Sequence, residues 1–240
     1  MLMWRQDLIV SGHQPNYLPW LGFFDKMRNC DLFIIEDDIQ FERQGFTNRN
    51  RIKTFDGVRW LTVPVKHVKR PLKIREVEIS NEGEPDWALR HWLTLKHSYC
   101  KAPFWREYCD FFEDTYNRKW TKLIDLNLHL IRGMMSFLNI DTPLVMGSTL
   151  NVSGQKSELI LSQCKAVKGD VQLAGVGSRG YINVKRFKKE GIKVVFQNFE
   201  HPYYPQMHGK FAYNLSAVDY LFCSGANEWK KFVSEQRCKL

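Results

Sequence analysis

The residues whose types and spacing suit chemistry cluster near the amino end. The run His13-Gln14-Pro15-Asn16-Tyr17-Leu18-Pro19-Trp20 offers one titratable ring, two amides and two aromatic faces. Such a set can hold a polar ring or a carboxylate. Its two prolines stiffen the backbone and delay any helix until after Pro19, so the competing reading is a rigid connection whose polar side chains cap that helix. A second group, Glu36-Asp37-Asp38 with Gln40, ends the apolar run Leu32 to Ile35. These carboxylates could coordinate Mg²⁺ on a nucleotide diphosphate, or one aspartate could orient His13 as a general base; strand-end solvation is the alternative. In the third group, Asn48-Arg49-Asn50-Arg51, two guanidiniums alternate with two amides, and arginine forks match carboxylate and phosphate geometry.

Further along, His91 and Tyr99 stand eight residues apart on an expected helix, about 80° around it, so both could look toward one edge of a pocket. A lone histidine on an apolar helix is more often a satisfied core residue. Gly175-Val176-Gly177-Ser178-Arg179-Gly180-Tyr181 follows an expected strand and is only loosely like a phosphate-cradling loop, being neither GxGxxG nor a P-loop. The expected catalytic residues are therefore His13, Asp37, Asp38 and His91. The expected substrate contacts are Gln14, Asn16, Tyr17, Trp20, Asn48, Arg49, Asn50, Arg51, Tyr99, Gly177 and Tyr181.

The elements that must position these groups follow from periodicity. Leu8 to Val10 reads as a strand, Leu21 to Asn29 as a short helix and Asp31 to Ile35 as a buried strand, a βαβ start that favours a parallel pair. Phe41 to Lys53 reads as a polar connection to a third strand at Val58 to Val65, with Asp56-Gly57 as the turn before it, and Ile74 to Ile79 as a weaker edge strand. Residues 85 to 140 read as a helical block opened near Glu84-Pro85, with helices around Trp87 to Tyr99, Phe104 to Arg118 and Trp120 to Leu138. Strands at Leu144 to Met146, Val171 to Ala174 and Lys193 to Gln197, with a helix at Ser157 to Lys168, return the chain to α/β. The expected fold is thus one α/β domain with a mainly parallel sheet, the helical block being an insertion or side layer.

Composition bounds the function classes. With 240 residues, 44% of them hydrophobic, the chain can bury a full core. No apolar run approaches the roughly 18 to 20 residues of a membrane span, and Arg5, Gln6 and Asp7 break the N-terminal stretch, so neither a span nor a signal peptide is expected. The six cysteines (Cys30, Cys100, Cys109, Cys164, Cys223, Cys238) form no CxxC pair, which suits reduced thiols in the cytoplasm. The net charge of +9 is local: Arg43 to Arg75 holds ten Lys or Arg against one acid, Asp56. That excess points to an anionic partner.

Taken together, His13 to Trp20, Asp37-Asp38, Asn48-Arg-Asn-Arg-Ile52, Trp60 to Val65, and Tyr99 followed by Ala102-Pro103-Phe104 resemble the WbqC-like proteins. The likeness continues through Gly175 to Tyr181, His201 to Gln206 and Leu215 to Phe222, and departs mainly at the tail from Trp229 to Leu240. The resemblance implies work in O-antigen or other surface-polysaccharide biosynthesis, on sugar nucleotides or amino acid-decorated sugars. It also selects His13, Gln14, Asn16, Tyr17, Asp37, Asp38, Asn48 to Arg51, His91 and Tyr99. The layout is similar to nucleotidylyltransferases that hold ATP phosphates with two histidines, but the second histidine is missing here. The expected function is a transferase adding an acyl or aminoacyl group to a nucleotide-activated amino sugar, with His13 as base and Arg49 and Arg51 gripping the anionic part. Its rivals are a basic nucleic-acid-binding module that stacks bases on Trp60 and Tyr17, which the carboxylate-rich loops disfavour, and a non-catalytic factor of a polysaccharide gene cluster.

Overall fold

The apolar run at Leu8 to Val10 opens the first strand, β1 (Ile9–His13), in the computed structural model, which describes residues 7–83 and 86–236. Arg5, Gln6, Glu84, Pro85 and Cys238, on which the reading above also drew, lie outside the described residues, as does the tail from 237 on. After β1 come α1 (Leu21–Arg28), β2 (Leu32–Ile35), β3 (Arg49–Thr54), β4 (Gly57–Thr62), α2 (Trp87–Tyr99), α3 (Trp105–Asn117) and α4 (Leu123–Phe137). Then follow β5 (Leu144–Met146), α5 (Ser157–Ala166), β6 (Val171–Ala174), α6 (Val184–Lys189), β7 (Lys193–Phe196) and α7 (Ala217–Gln236). Contacts divide the chain into two units. One holds residues up to Gln14, Phe23–Asp38 and Ile140–Glu200; the other holds Pro15–Gly22, Ile39–Asn139 and the chain from His201 on.

The first unit is a five-stranded, wholly parallel sheet in the order β5-β2-β1-β6-β7. Counting only these strands along the chain gives 3-2-1-4-5, the doubly wound arrangement, with its order reversing between β1 and β6. The central strands are apolar because both sheet faces are covered: Phe33, Ile34 and Ile35 are at most 2% exposed, and Val171 to Ala174 are all buried. Val10, Ile34 and Ala174 pack with Leu161 and Cys164 of α5 and Phe187 of α6. Backbone amides ahead of the sheet are capped by acids: Asp31 accepts from Ile9 N at 2.8 Å and Asp170 from Leu8 N at 2.9 Å.

In the second unit β3 and β4 form an antiparallel hairpin, turning at Phe55-Asp56 into Gly57, which has φ 106°. This corrects two expectations. Arg49 to Lys53 is a strand and not a connection, and β4 pairs with β3 instead of joining the main sheet. The strand escaped periodicity because three of its four buried positions, Asn50, Lys53 and Thr54, are polar or charged. Ile74 to Ile79 is likewise no edge strand: a 3₁₀ turn spans Ile74–Glu76, its opening Lys73 amide held by the Glu76 carboxylate at 2.8 Å. The helical block forms where expected. Asp86 caps α2 by accepting from Ala88 N at 3.1 Å. Phe222 of α7 packs against Tyr99 of α2 and against Trp105, Tyr108 and Phe112 of α3, joining both helices to α7.

Candidate functional site

In open α/β sheets ligands bind beyond the carboxyl ends of the strands, at the point where strand order reverses. Here that point is where β1 ends at His13, in register with Ile35 at the end of β2, while Ser11 pairs with Leu173 of β6. The His13 ring lies edge-on to Phe23, with centroids 5.3 Å apart, and its Nδ1 is 2.9 Å from the Gln14 carbonyl. A carbonyl only accepts, so Nδ1 carries the ring proton and Nε2 is left as the acceptor. Burial, followed by the positive charge of Lys26, lowers the His13 pKa to about 3 against the opposing pull of the Gln14 carbonyl. The imidazole is therefore neutral at physiological pH.

Two charged side chains accompany it. Lys26 lies on α1, only 4% exposed, and its Nζ donates to the Gly12 carbonyl at 2.8 Å with the Phe33 ring 5.8 Å away. Burial lowers its pKa to about 8, opposed by the charges of Glu36 and Cys30. Glu36 follows β2, and burial raises its carboxyl pKa while Lys26 pulls it back. Its Oε1 would stand 3.2 Å from a Cβ at Gly12, so the missing side chain there lets the carboxylate lie against the strand end. Tyr181, 46% exposed, has its phenol pKa pushed up by burial and then by the charge of Glu36. Because β6 runs parallel to β1, the loop after β6 leaves the sheet at the same end, with Gly177 exposed within it.

Asp37 does something else. Both its oxygens accept from Ser148, Oδ1 from the amide at 2.8 Å and Oδ2 from the hydroxyl at 2.7 Å, which fixes the 3₁₀ turn Gly147–Leu150 after β5. The His13 ring proton goes to Gln14, so the expected orienting role of Asp37 is corrected. Asp38 follows, partly exposed. With Asp37 occupied and no group of three His, Cys, Asp or Glu side chains among the described residues arranged to hold a metal, the residues present do not fit a dedicated Mg²⁺ site.

The remaining expected residues belong to the second unit. Asn50, fully buried, donates from Nδ2 to the carbonyls of Tyr17 (3.2 Å) and Leu18 (2.8 Å) and accepts from Arg51 N at 2.8 Å. It thereby holds Leu18, a residue before proline with φ 43°. Asn127 holds the same segment by donating to Pro15 O and Thr47 O, both at 2.8 Å. Asn16 is 3% exposed, and Asn48 donates to Val63 O at 3.0 Å. Trp20 forms a bridge with Ser216 and lays its ring over Gly22. Tyr17 is fully buried, its hydroxyl 2.8 Å from His91 Nδ1 and hydrogen-bonded to Tyr116, so it is no stacking platform for bases. His91 is 6% exposed and held to a pKa of about 3 by burial and then by Arg90. Tyr99 serves a separate network, accepting from Lys53 N at 3.0 Å and donating to Asp219 at 2.7 Å, so His91 and Tyr99 do not meet at one edge. Arg49 and Arg51 lie on the exposed hairpin face, 4.3 and 5.6 Å from the Trp60 ring. Arg49 donates to Gln44 O and Arg51 to Asn214 O.

Sequence reading missed Lys26 as a site residue and passed over Glu36 in favour of its neighbours. The signal for Lys26 was its place in Leu-Gly-Phe-Phe-Asp-Lys-Met, seven consecutive buried residues. A charge in such a run must have a partner or a purpose. Asp219, fully buried between the hydroxyls of Tyr99 and Tyr204, had no comparable signal.

Fold and site define a doubly wound parallel α/β unit with a neutral imidazole, a lysine and a glutamate at its switch point. The chain belongs to the WbqC-like protein family, whose model matches residues 14–231. It is also similar to an uncharacterized protein of Mycobacterium tuberculosis, 34% identical over 220 residues that cover 90% of this chain and 94% of that one. No solved structure matches. Among the described residues no helix is long and apolar enough to cross a membrane.

Proposed function

We propose that the chain is a cytoplasmic enzyme of bacterial surface-polysaccharide biosynthesis, a transferase that places an acyl or aminoacyl group on a nucleotide-activated amino sugar. Its family resemblance supplies the pathway class. The observation that carries the reaction is His13, presented at the carboxyl end of β1 with its Nδ1 proton fixed on Gln14 and Nε2 left to accept.

In this reading the acceptor amine attacks the acyl carbonyl carbon. A nitrogen–carbon bond forms, and the bond from that carbon to its activating oxygen or sulfur breaks. Nε2 takes the amine proton and passes it to the departing atom. The ring is neutral before attack, so Nε2 can accept the amine proton, and handing that proton to the leaving group returns the ring to the same state. Replacing His13 by Gln should lower turnover by about 10²- to 10⁴-fold with little change in KM. Unaltered turnover in a folded variant would remove His13 from the mechanism. The substrate is first sought by thermal-shift screening against sugar nucleotides and acyl or aminoacyl donors, since a ligand of the folded state raises its melting point.

A further inference from the structure

Lys26 and Glu36 are an incomplete pair. Lys26 is 96% buried, yet its ammonium, with three protons to donate, makes one hydrogen bond, to the Gly12 carbonyl at 2.8 Å. Glu36 has no side-chain hydrogen bond among the described residues, and no ion pair joins it to Lys26, although each lies within the other's electrostatic field. A buried charge such as that of Lys26, with unused bonding capacity, is costly unless something completes it; Glu36 is half-buried, so its carboxylate is open to a ligand.

The surroundings point the two heads at the same place. Lys26 Nζ is bound to Gly12, and Glu36 Oε1 rests against Gly12 where a Cβ would stand. On the opposite side of β1, a Cβ added to Gly175, just past β6, would lie 3.7 Å from Nζ, so the ammonium also lies close to the end of β6. Both heads therefore sit at the switch point of the sheet.

Charge decides what completes the pair. A phosphate or carboxylate would suit Lys26 and be repelled by Glu36; an ammonium would suit Glu36 and be repelled by Lys26. A neutral group that accepts from one and donates to the other satisfies both, and a hydroxyl is the simplest such group. We propose that Lys26 and Glu36 together read a hydroxyl of a sugar ring: Nζ donates to the hydroxyl oxygen, and the hydroxyl proton goes to the Glu36 carboxylate. Tyr181, just after the 3₁₀ turn that follows β6, is 46% exposed at the same end of the sheet. The proposal rests on the transferase reading above and names the part of the acceptor that this end of the sheet holds, its polyhydroxyl ring and not its phosphates.

The test uses the full chain and the methyl glycosides of glucose, galactose and mannose, with binding followed by ligand-observed NMR. At least one glycoside should bind, and replacing one particular hydroxyl of it by hydrogen should weaken binding tenfold or more. Glu36→Gln, which keeps the shape but not the charge, should abolish the preference for that hydroxyl. Binding with equal affinity for every deoxy analogue overturns the proposal, as does a preference that survives Glu36→Gln. Because the deoxy comparison is made on the unaltered protein, misfolding of a variant does not hide the answer. If inorganic phosphate competes for the site and no glycoside binds, Lys26 serves an anion and the hydroxyl reading is wrong. If no glycoside and no phosphate binds, the pair is bridged by water only and is structural. In either case the transferase reading stands or falls separately, on the His13→Gln turnover.

Discussion

At the scale of single residues, the same chemical group serves different ends according to what surrounds it. Asn50 and Asn16 were both expected to meet substrate, but Asn50 has its two amide protons and its oxygen engaged by the backbone of its own unit. Removing it leaves the carbonyls of Tyr17 and Leu18 unpaired in a dry site, which typically costs 1–3 kcal/mol for each buried group left without a partner. Asn50→Ala should therefore lower stability by about 2–3 kcal/mol in urea unfolding; a change within experimental error would show that the amide is not structural. His13 reverses the lesson. Its type invited the reading of a general base near neutrality, whereas burial beside Lys26 makes it a neutral acceptor. Residue type was legible in the sequence; the field around the residue was not, because Lys26 comes from α1, a different element from the strand that ends in His13.

Among the elements, legibility tracked apolar periodicity. The strands of the main sheet were found because their both-sided burial gives continuous apolar runs, and β6 was placed at its observed limits. The hairpin strand β3 was missed because, apart from Ile52, its buried positions are polar or charged. So was α7, whose polar opening Ser216 to Asp219 is buried around a tyrosine network and not exposed to water. That helix is kinked at Gly225, which has φ 70° and ψ 168°, a conformation reserved for glycine. A Cβ there would also meet the Phe104 ring at 2.7 Å. Gly225→Ala should combine backbone strain with overpacking and destabilise the chain by about 2–4 kcal/mol, read as a lowered melting temperature. Wild-type stability in that variant would mean that the kink can straighten.

For the whole molecule, two neutral histidines, His91 buried and His13 half-buried, make stability depend on pH. His13 and His91 are both held near 3, against 6.5 for an ordinary histidine. Between these values the unfolded chain binds protons that the folded chain does not, so their contribution is intact above about 6.5 and is lost as pH falls toward 3. Asp25, Glu36 and Asp219, whose carboxyl pKa values burial pushes up, act in the opposite direction. Comparing wild type with His91→Gln cancels those terms. The wild type should lose up to about 1.4 kcal/mol more per pH unit between pH 6 and 4, and parallel curves would show that His91 is not buried neutral.

The account's central claim is that the carboxyl end of the parallel sheet, and not the cationic hairpin, is where substrate binds. Hydrogen exchange of the full chain tests this directly, with and without the sugar nucleotide that most raises its melting temperature. Slowed exchange at amides 12–14, 36–38 and 175–181 is the predicted result. Protection confined to β3 and β4, or no sugar nucleotide that stabilises the chain at all, would contradict it.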